Sequence, residues 1–395
     1  MSRETRAVIS VSALRHNLAV ARQAAAGARV MAVVKGNGYG HGLLRVAYAL
    51  RGADAFAVTC LEEAIPLREA GLAHPIVLLE GPYEPGEVQL ASRYRLDVVV
   101  HSDWQISVLE NVRLPRPVNV WLKVDSGMHR LGLPVHEVRS AYQRLVAANS
   151  VAPHVRLMTH LAEADDLGSD VTEQQVACFD EVTDGLRGER SVANSAGLLG
   201  WPATRAGWVR PGIMLYGATP FDHTDPPHAP LRPAMTLSTR INAIYNHHAG
   251  DAIGYGGTWV CPEDMPVAVA AIGYGDGYPR HAPSGTPVLV NGSRAQVIGR
   301  VSMDMITIDL RDVPQPVEIG DTVTLWGEGL PAEEVAAQAG TIAYELFCTV
   351  TQRVRFQEDR DSHGTHPDPV QLHRLRGAES EVGGPVLRVR RLEHP

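Results

Sequence analysis

The sequence predicts an α/β protein: a closed (β/α)8 barrel of the TIM type followed by a mostly β C-terminal domain. Three observations predict it. Short β-rich runs alternate with helical patterns eight times over about two hundred residues, the span of one such barrel. After Gly217 the strand signals continue without long helices, separated by turn dipeptides such as Asn291-Gly292. The conspicuous polar residues fall just past the predicted barrel strands, the edge at which such barrels carry their chemistry.

In chain order, Ala7–Val11 alternates as a short strand. Ser12–Ala25 follows as a helix capped by Ser12, with Leu14, Leu18 and Val20–Ala21 on its apolar face. The apolar run Met31–Val34 is the first barrel strand. It ends at Lys35 and opens into a loop that holds four glycines, Tyr39 and His41. Seven further runs complete the set: Ala55–Thr59, Pro75–Leu79, Asp97–Val100, Val118–Val124, Val155–Thr159, Ser191–Ala193 and Gly207–Val209. Helices are legible between them, for example Leu61–Ala70 and Glu173–Leu186.

The stretch Thr219–Pro233, rich in Pro, Asp and His, reads as a linker. Strand signals then come at Leu237–Tyr245, Val267–Ile272, Pro287–Val290, Ala295–Val301, Ile306–Leu310 and Thr322–Trp326, with one amphipathic helix at Pro331–Ala339. Past Phe356 the chain turns polar with mixed charge. The expected domains are a barrel over 1–230, a β-rich domain over 231–356 and a polar tail over 357–395, partly ordered at most.

Composition bounds the function. The 395 residues suffice for a large core and more than one domain, and 45% hydrophobic with 20% charged residues is ordinary for a globular protein. The net charge of -8 argues against a nucleic-acid partner. Cys60, Cys178, Cys261 and Cys348 show neither a disulfide framework nor a zinc-site spacing, which fits a reducing cytosol. No apolar run approaches a membrane span, and Met1–Arg6 lacks the apolar segment of a signal peptide. The expectation is a cytoplasmic protein that acts on a small molecule.

A lysine at a barrel mouth is partly desolvated, so its amine can stay neutral and act as nucleophile or base. Lys35 and Tyr39 follow the first strand. Lys123, Asp125 and Arg130 follow Val118–Leu122; His160 follows Leu157–Thr159; Asn194 and Ser195 follow Ser191–Ala193; Arg210–Ile213 follows Gly207–Val209. Barrels often bind phosphate with the loops after their last two strands. The Ser195 hydroxyl and the backbone N–H groups of Gly212 and Ile213 suit such a dianion. A phosphate-bearing aldehyde anchored there, opposite an amine at Lys35, suggests pyridoxal phosphate held as a Schiff base.

At this point the chain resembles a known family. Val33–Gly42 is similar to the cofactor-lysine signature of the alanine racemases. The likeness continues through Phe56–Val58, Leu61–Ala64, Lys123–Gly132, Met158–Leu161, Ala193–Ala196 and Arg210–Gly217. In the second domain it covers Gly254–Trp259, Gly273–Arg280, Gly299–Asp304 and Thr341–Glu345. It spans about residues 5–356, and the motifs stand in family order across both domains.

The resemblance implies two bases on opposite faces of the substrate: Lys35, and Tyr255 from the partner subunit of a homodimer. Tyrosine is a weak base unless positive neighbours favour its phenolate. Met303 and Tyr274 also reach across toward the substrate. Tyr39, Ser195, Gly212, Ile213 and Tyr344 match the phosphate ligands, with Asn194 beside them. Arg210 matches the residue that faces the pyridine nitrogen, and His160 one packed on the pyridine ring. Arg130 matches a residue that pairs with the cofactor's phenolic oxygen and lines the substrate site. Lys123 matches a lysine that some relatives carry as a carbamate. The implied role is D-alanine supply for peptidoglycan.

The chain departs from the family pattern at three points. Gly36 and Gly38 stand where alanine is usual, which predicts a more mobile loop. Ser191 stands where relatives usually carry the histidine that supports the pyridine-facing arginine, which predicts a looser Arg210. The tail is longer than usual. Three rival readings share the lysine: a racemase of serine or broader specificity, a decarboxylase of basic amino acids, and a non-catalytic cofactor-storing barrel. The Tyr255 motif has no reason to exist in the second, and residues 235–356 argue against the third.

Overall fold

Eight parallel strands close into the expected barrel. The structure, a computed structural model, describes residues 3–221 and 229–359. After a first strand outside the barrel, β1 (Arg6–Ile9), the staves are β2 (Arg29–Val33), β3 (Ala55–Val58), β4 (Ile76–Leu78), β5 (Asp97–Val100), β6 (Val120–Lys123), β7 (Arg156–Met158), β8 (Arg190–Ser191) and β9 (Trp208–Val209). They pair in sequence order, and β9 returns to β2 through Arg29↔Trp208 and Val30↔Val209. Every residue of β3, β4, β5 and β6 is buried, because helices cover the outside and side chains fill the inside. That is why these strands read as continuous apolar runs rather than as alternations.

The first helix, α1 (Val11–Ala24), is capped by Ser10 and not by Ser12. The Ser10 hydroxyl accepts from the Ala13 N–H at 3.2 Å, and Ser12 lies inside the first turn. Asp359 completes the cap: it accepts from the Ser10 hydroxyl at 2.5 Å and from the Val11 N–H at 3.0 Å. A carboxylate is favourable at this positive end of the helix. Asp359 lies in the stretch expected to be a tail, so the ordered fold extends past residue 356.

The first strand departs from the expected division as well. β1 joins the sheet of the second region, although it precedes the barrel in sequence. That region contains β10 (Met235–His247), β11 (Ala252–Ile253), β12 (Trp259–Val260), β13 (Met265–Ala270), β14 (Pro287–Val290), β15 (Ser293–Ile298), β16 (Ile306–Asp309), β17 (Thr322–Trp326) and β18 (Arg355–Glu358). The sheet order is β13-β16-β15-β14-β17-β10-β1-β18, and β13 also pairs with β10. Six antiparallel strands thus close on themselves, which removes exposed edges. β1 runs antiparallel to β10 and parallel to β18, and it buries Ala7 and Ile9.

The expected linker lies partly outside the described residues, at 222–228. On its near side the Thr219 N–H donates to Glu333 at 3.0 Å. The expected tail from residue 360 onward also lies outside them. Among the described residues, no helix is long and apolar enough to cross a membrane.

Candidate active site

A cavity of about 630 Å³ opens at the carboxyl ends of the barrel strands. Lys35, Tyr39, Lys123, Arg130 and His160 line it, together with Asn194, Ser195, Arg210, Gly212, Ile213 and Tyr344. The barrel therefore collects around one cavity the residues that the sequence presents on six separate segments.

Lys35 leaves β2 into a turn of unusual hand. Gly36, Asn37 and Gly38 have (φ, ψ) of (63°, 44°), (55°, 42°) and (63°, 47°), and Tyr39 follows at φ 49°. Bonds from the Gly38 N–H to the Val34 carbonyl and from the Gly40 N–H to the Gly36 carbonyl, both 2.9 Å, close a left-handed helical turn. Each L-residue pays about 1–2 kcal/mol there, and glycine avoids the clash. The two glycines at 36 and 38 are thus explained by backbone hand. Tyr39 sits in the same strained region because its ring is locked against Tyr216, with centroids 4.5 Å apart and planes 22° apart. Tyr216 is itself held by its hydroxyl, which donates to the Val33 carbonyl at 3.0 Å. Burial pushes the Tyr39 phenol well above its ordinary pKa, so it keeps its proton and can donate it in a hydrogen bond.

Facing Tyr39 is a cradle of donors. Ser195 opens the helix Ser195–Gly200, which Asn194 caps by accepting from the Gly197 N–H at 2.8 Å. The Ser195 hydroxyl accepts from the Gly212 N–H at 2.9 Å. A Cβ at Gly212 would lie 2.5 Å from the Tyr39 hydroxyl, so only glycine lets the two approach. Tyr344 comes from the helix Ala343–Thr349, an element the sequence reading did not pick out, and its ring lies 5.8 Å from that of Tyr39. The cradle holds hydroxyl and amide donors and no carboxylate. It fits a phosphate.

The opposite wall is cationic. Arg210 is buried, and its guanidinium donates to the Ser191 hydroxyl at 2.6 Å, to the Thr159 and Val192 carbonyls at 2.6 and 3.2 Å, and to His160 Nδ1 at 3.3 Å. Ser191, the position from which the sequence predicts a looser Arg210, itself accepts from Arg210 and is anchored in turn on the Trp208 carbonyl at 3.0 Å. Burial lowers the Arg210 pKa to about 10, which still leaves it protonated. Burial, with Arg210 next, holds His160 well below its usual range. His160 is then neutral, and because arginine only donates, its Nδ1 is the acceptor. Burial and then the charges of Arg210, Arg130 and Lys35 lower Lys123 to about 8. Glu80, which sequence reasoning missed, is the acidic residue of this lining. Arg130 stands on an excursion between Val124 and Leu133, whose start Asp125 ties down by accepting from the Gly127 and His129 N–H groups at 3.1 and 2.9 Å. Asp125 is a loop anchor and does not line the cavity.

Tyr255, Tyr274 and Met303 do not line the chain's own cavity. Tyr255 stands at the tip of the β11–β12 hairpin and is 68% exposed; Tyr274 and Met303 are 39% and 52% exposed. Tyr274 and Met303 lie on two loops joined by bonds from the Tyr274 N–H to the Ser302 carbonyl at 3.1 Å and from the Gly275 N–H to the Met303 carbonyl at 2.9 Å. Arg3 clamps the pair from the N-terminal arm through a two-pronged ion pair with the fully buried Asp276, and Arg353 bridges Asp276 and Asp304.

Comparison with known proteins bears on the whole described chain. The profile for the alanine racemase N-terminal domain matches residues 9–220, and that for the C-terminal domain matches residues 234–357. The alanine racemase of Halorhodospira halophila is 54% identical over 90% of this chain and 98% of its own. A catabolic alanine racemase of Pseudomonas putida is 51% identical over 88% of this chain and 97% of its own. The crystal structure of the biosynthetic alanine racemase from Pseudomonas aeruginosa superposes with a TM-score of 0.88 at 43% identity, covering 91% of this chain and all of that one.

Proposed function

Since the chain belongs to the alanine racemase family of amino-acid isomerases, we propose that it interconverts L- and D-alanine using pyridoxal phosphate and two bases, Lys35 and Tyr255 of a partner subunit. The observation that carries this is the cavity itself, which an amine at the end of β2, a carboxylate-free donor cradle and a buried arginine line together. When bound, the cofactor draws electrons from the substrate Cα and so makes its proton removable.

The chain's own residues supply the rest. Tyr39, Ser195, Gly212, Ile213 and Tyr344 bind the phosphate and fix the position of the ring it carries. Arg210 would face the pyridine nitrogen of the bound group; it can donate a hydrogen bond but cannot give up a proton, which would limit how far charge spreads onto the ring. His160 packs beside it. The Lys35 amine holds and returns the Cα proton on one face. The Tyr255 phenol does so on the other, which one lysine cannot reach. Arg130 orients the substrate. The depressed pKa of Lys123 leaves a neutral fraction whose nitrogen could bond to carbon dioxide and release one N–H proton to solvent, and the carbamate's negative charge would hold Arg130.

Tyr255, Tyr274 and Met303 being exposed together, away from the chain's own cavity, supports a homodimer in which each second domain completes its partner's barrel. The product serves peptidoglycan in the cytoplasm, a setting that suits four free thiols. The test is incubation of the cofactor-loaded chain with single enantiomers of alanine, serine and lysine in heavy water. Loss of optical rotation with deuterium at Cα should be fastest for alanine. Faster exchange on serine would replace the substrate assignment, and no exchange on any of them would end the racemase reading.

A further inference from the structure

We propose that Glu63 is the positioning residue for Lys35: its carboxylate fixes the left-handed turn from which that lysine projects. The inference rests on the reading of Lys35 as the amine that carries the cofactor. Glu63 lies in the first turn of the helix Leu61–Glu69, which follows β3. One of its oxygens accepts from the Gly36 N–H at 2.6 Å and from the Asn37 N–H at 3.4 Å. The other accepts from the Thr59 N–H at 2.9 Å.

Those first two donors open the left-handed turn, where no earlier carbonyl of the turn can reach them, so they need an outside acceptor. Glu63 supplies one and bolts the turn to the end of the neighbouring stave through Thr59. The exit direction of Lys35 from β2 is thereby set by a residue that does not line the cavity. Only a carboxylate of this length serves. Both glutamate oxygens accept, whereas glutamine turns an N–H toward either Thr59 or Gly36 whichever way its amide is flipped. Aspartate is one methylene too short to span both.

The test compares wild type with E63Q and E63A, and with E62Q as control, since Glu62 is exposed and bonds to Cys60. In the cofactor-free chain, the Gly36 and Asn37 amides should exchange hydrogen about ten-fold faster in E63Q and E63A and at the wild-type rate in E62Q. After loading, the visible circular dichroism of the bound cofactor should weaken and its off-rate should rise by about ten-fold. In the same variants kcat should fall by about ten-fold while KM for alanine stays within about two-fold. If E63A does not fold, E63Q, of the same size, carries the test. Wild-type exchange and an unaltered cofactor signature in E63Q, with a wild type that borohydride couples to the cofactor at Lys35, overturn this inference alone. Failure of that coupling in the wild type overturns the functional reading and this inference with it.

Discussion

Lys123 shows how much a single buried amine reports. Its folded pKa of about 8 lies below the ordinary lysine value near ~10.4, because burial and three neighbouring cations penalise the charge. Between those two values the unfolded chain binds more protons than the folded one, so this residue makes stability rise with pH across that window. Below about pH 8 both states are protonated and the full penalty is present. Lys123→Met should therefore stabilise the cofactor-free chain at pH 7 by on the order of 2–3 kcal/mol, with the gain gone near pH 10.5. Urea midpoints measured at both pH values in carbonate-free buffer check it, and identical gains at the two would refute the electrostatic cause. The lysine was legible in the sequence as a strand-end cation. Its depressed pKa was not, because Arg210 and Lys35 are distant in sequence and meet it only across the barrel.

At the level of elements, the glycine-rich turn after β2 separates two costs that sequence alone merges. Gly36 and Gly40 both lie at positive φ, 63° and 76°. A Cβ at Gly36 meets only the Cys348 sulfur at 3.7 Å, whereas one at Gly40 would sit 2.0 Å from the Phe347 carbonyl oxygen. Gly36→Ala should thus cost only the left-handed penalty, about 1 kcal/mol. Gly40→Ala must push away the helix Ala343–Thr349 and with it Tyr344. We expect a loss of about 3 kcal/mol or more, and weaker cofactor retention, in denaturant and dialysis measurements. Equal losses for the two variants would contradict the close approach. The loop and its glycines are readable in the one-dimensional pattern, but its hand is not, and neither is the helix that presses on it. That helix is only seven residues long, too short for periodicity to announce it.

For the whole molecule, the placement of an exposed Tyr255 outside the lining of its own cavity makes a quantitative demand. If each site takes Lys35 from one subunit and Tyr255 from the other, Lys35→Ala and Tyr255→Phe chains are each inactive alone. A mixed dimer then contains one site with both defects and one intact site. Random reassembly of equal amounts should restore about a quarter of wild-type turnover. Refolding the two chains together and assaying alanine racemisation checks this; no recovery would place both bases within one chain.

The sequence by itself determined the eight staves, the β-rich region after them and the residues at the strand ends. These follow from local patterns, since a strand buried on both faces must be apolar throughout and must turn polar where it leaves the core. It also carried the family likeness through short motifs in order. Tertiary structure alone decided what those residues touch. β1 and β18 pair across about 350 residues of chain, because unpaired strand edges are satisfied wherever the fold brings partners together. Ser191 supports Arg210, since its small hydroxyl lies within reach only once β8 and β9 are neighbours. Glu63 meets the Lys35 turn for the same reason: adjacent staves put residues some thirty positions apart within one hydrogen bond.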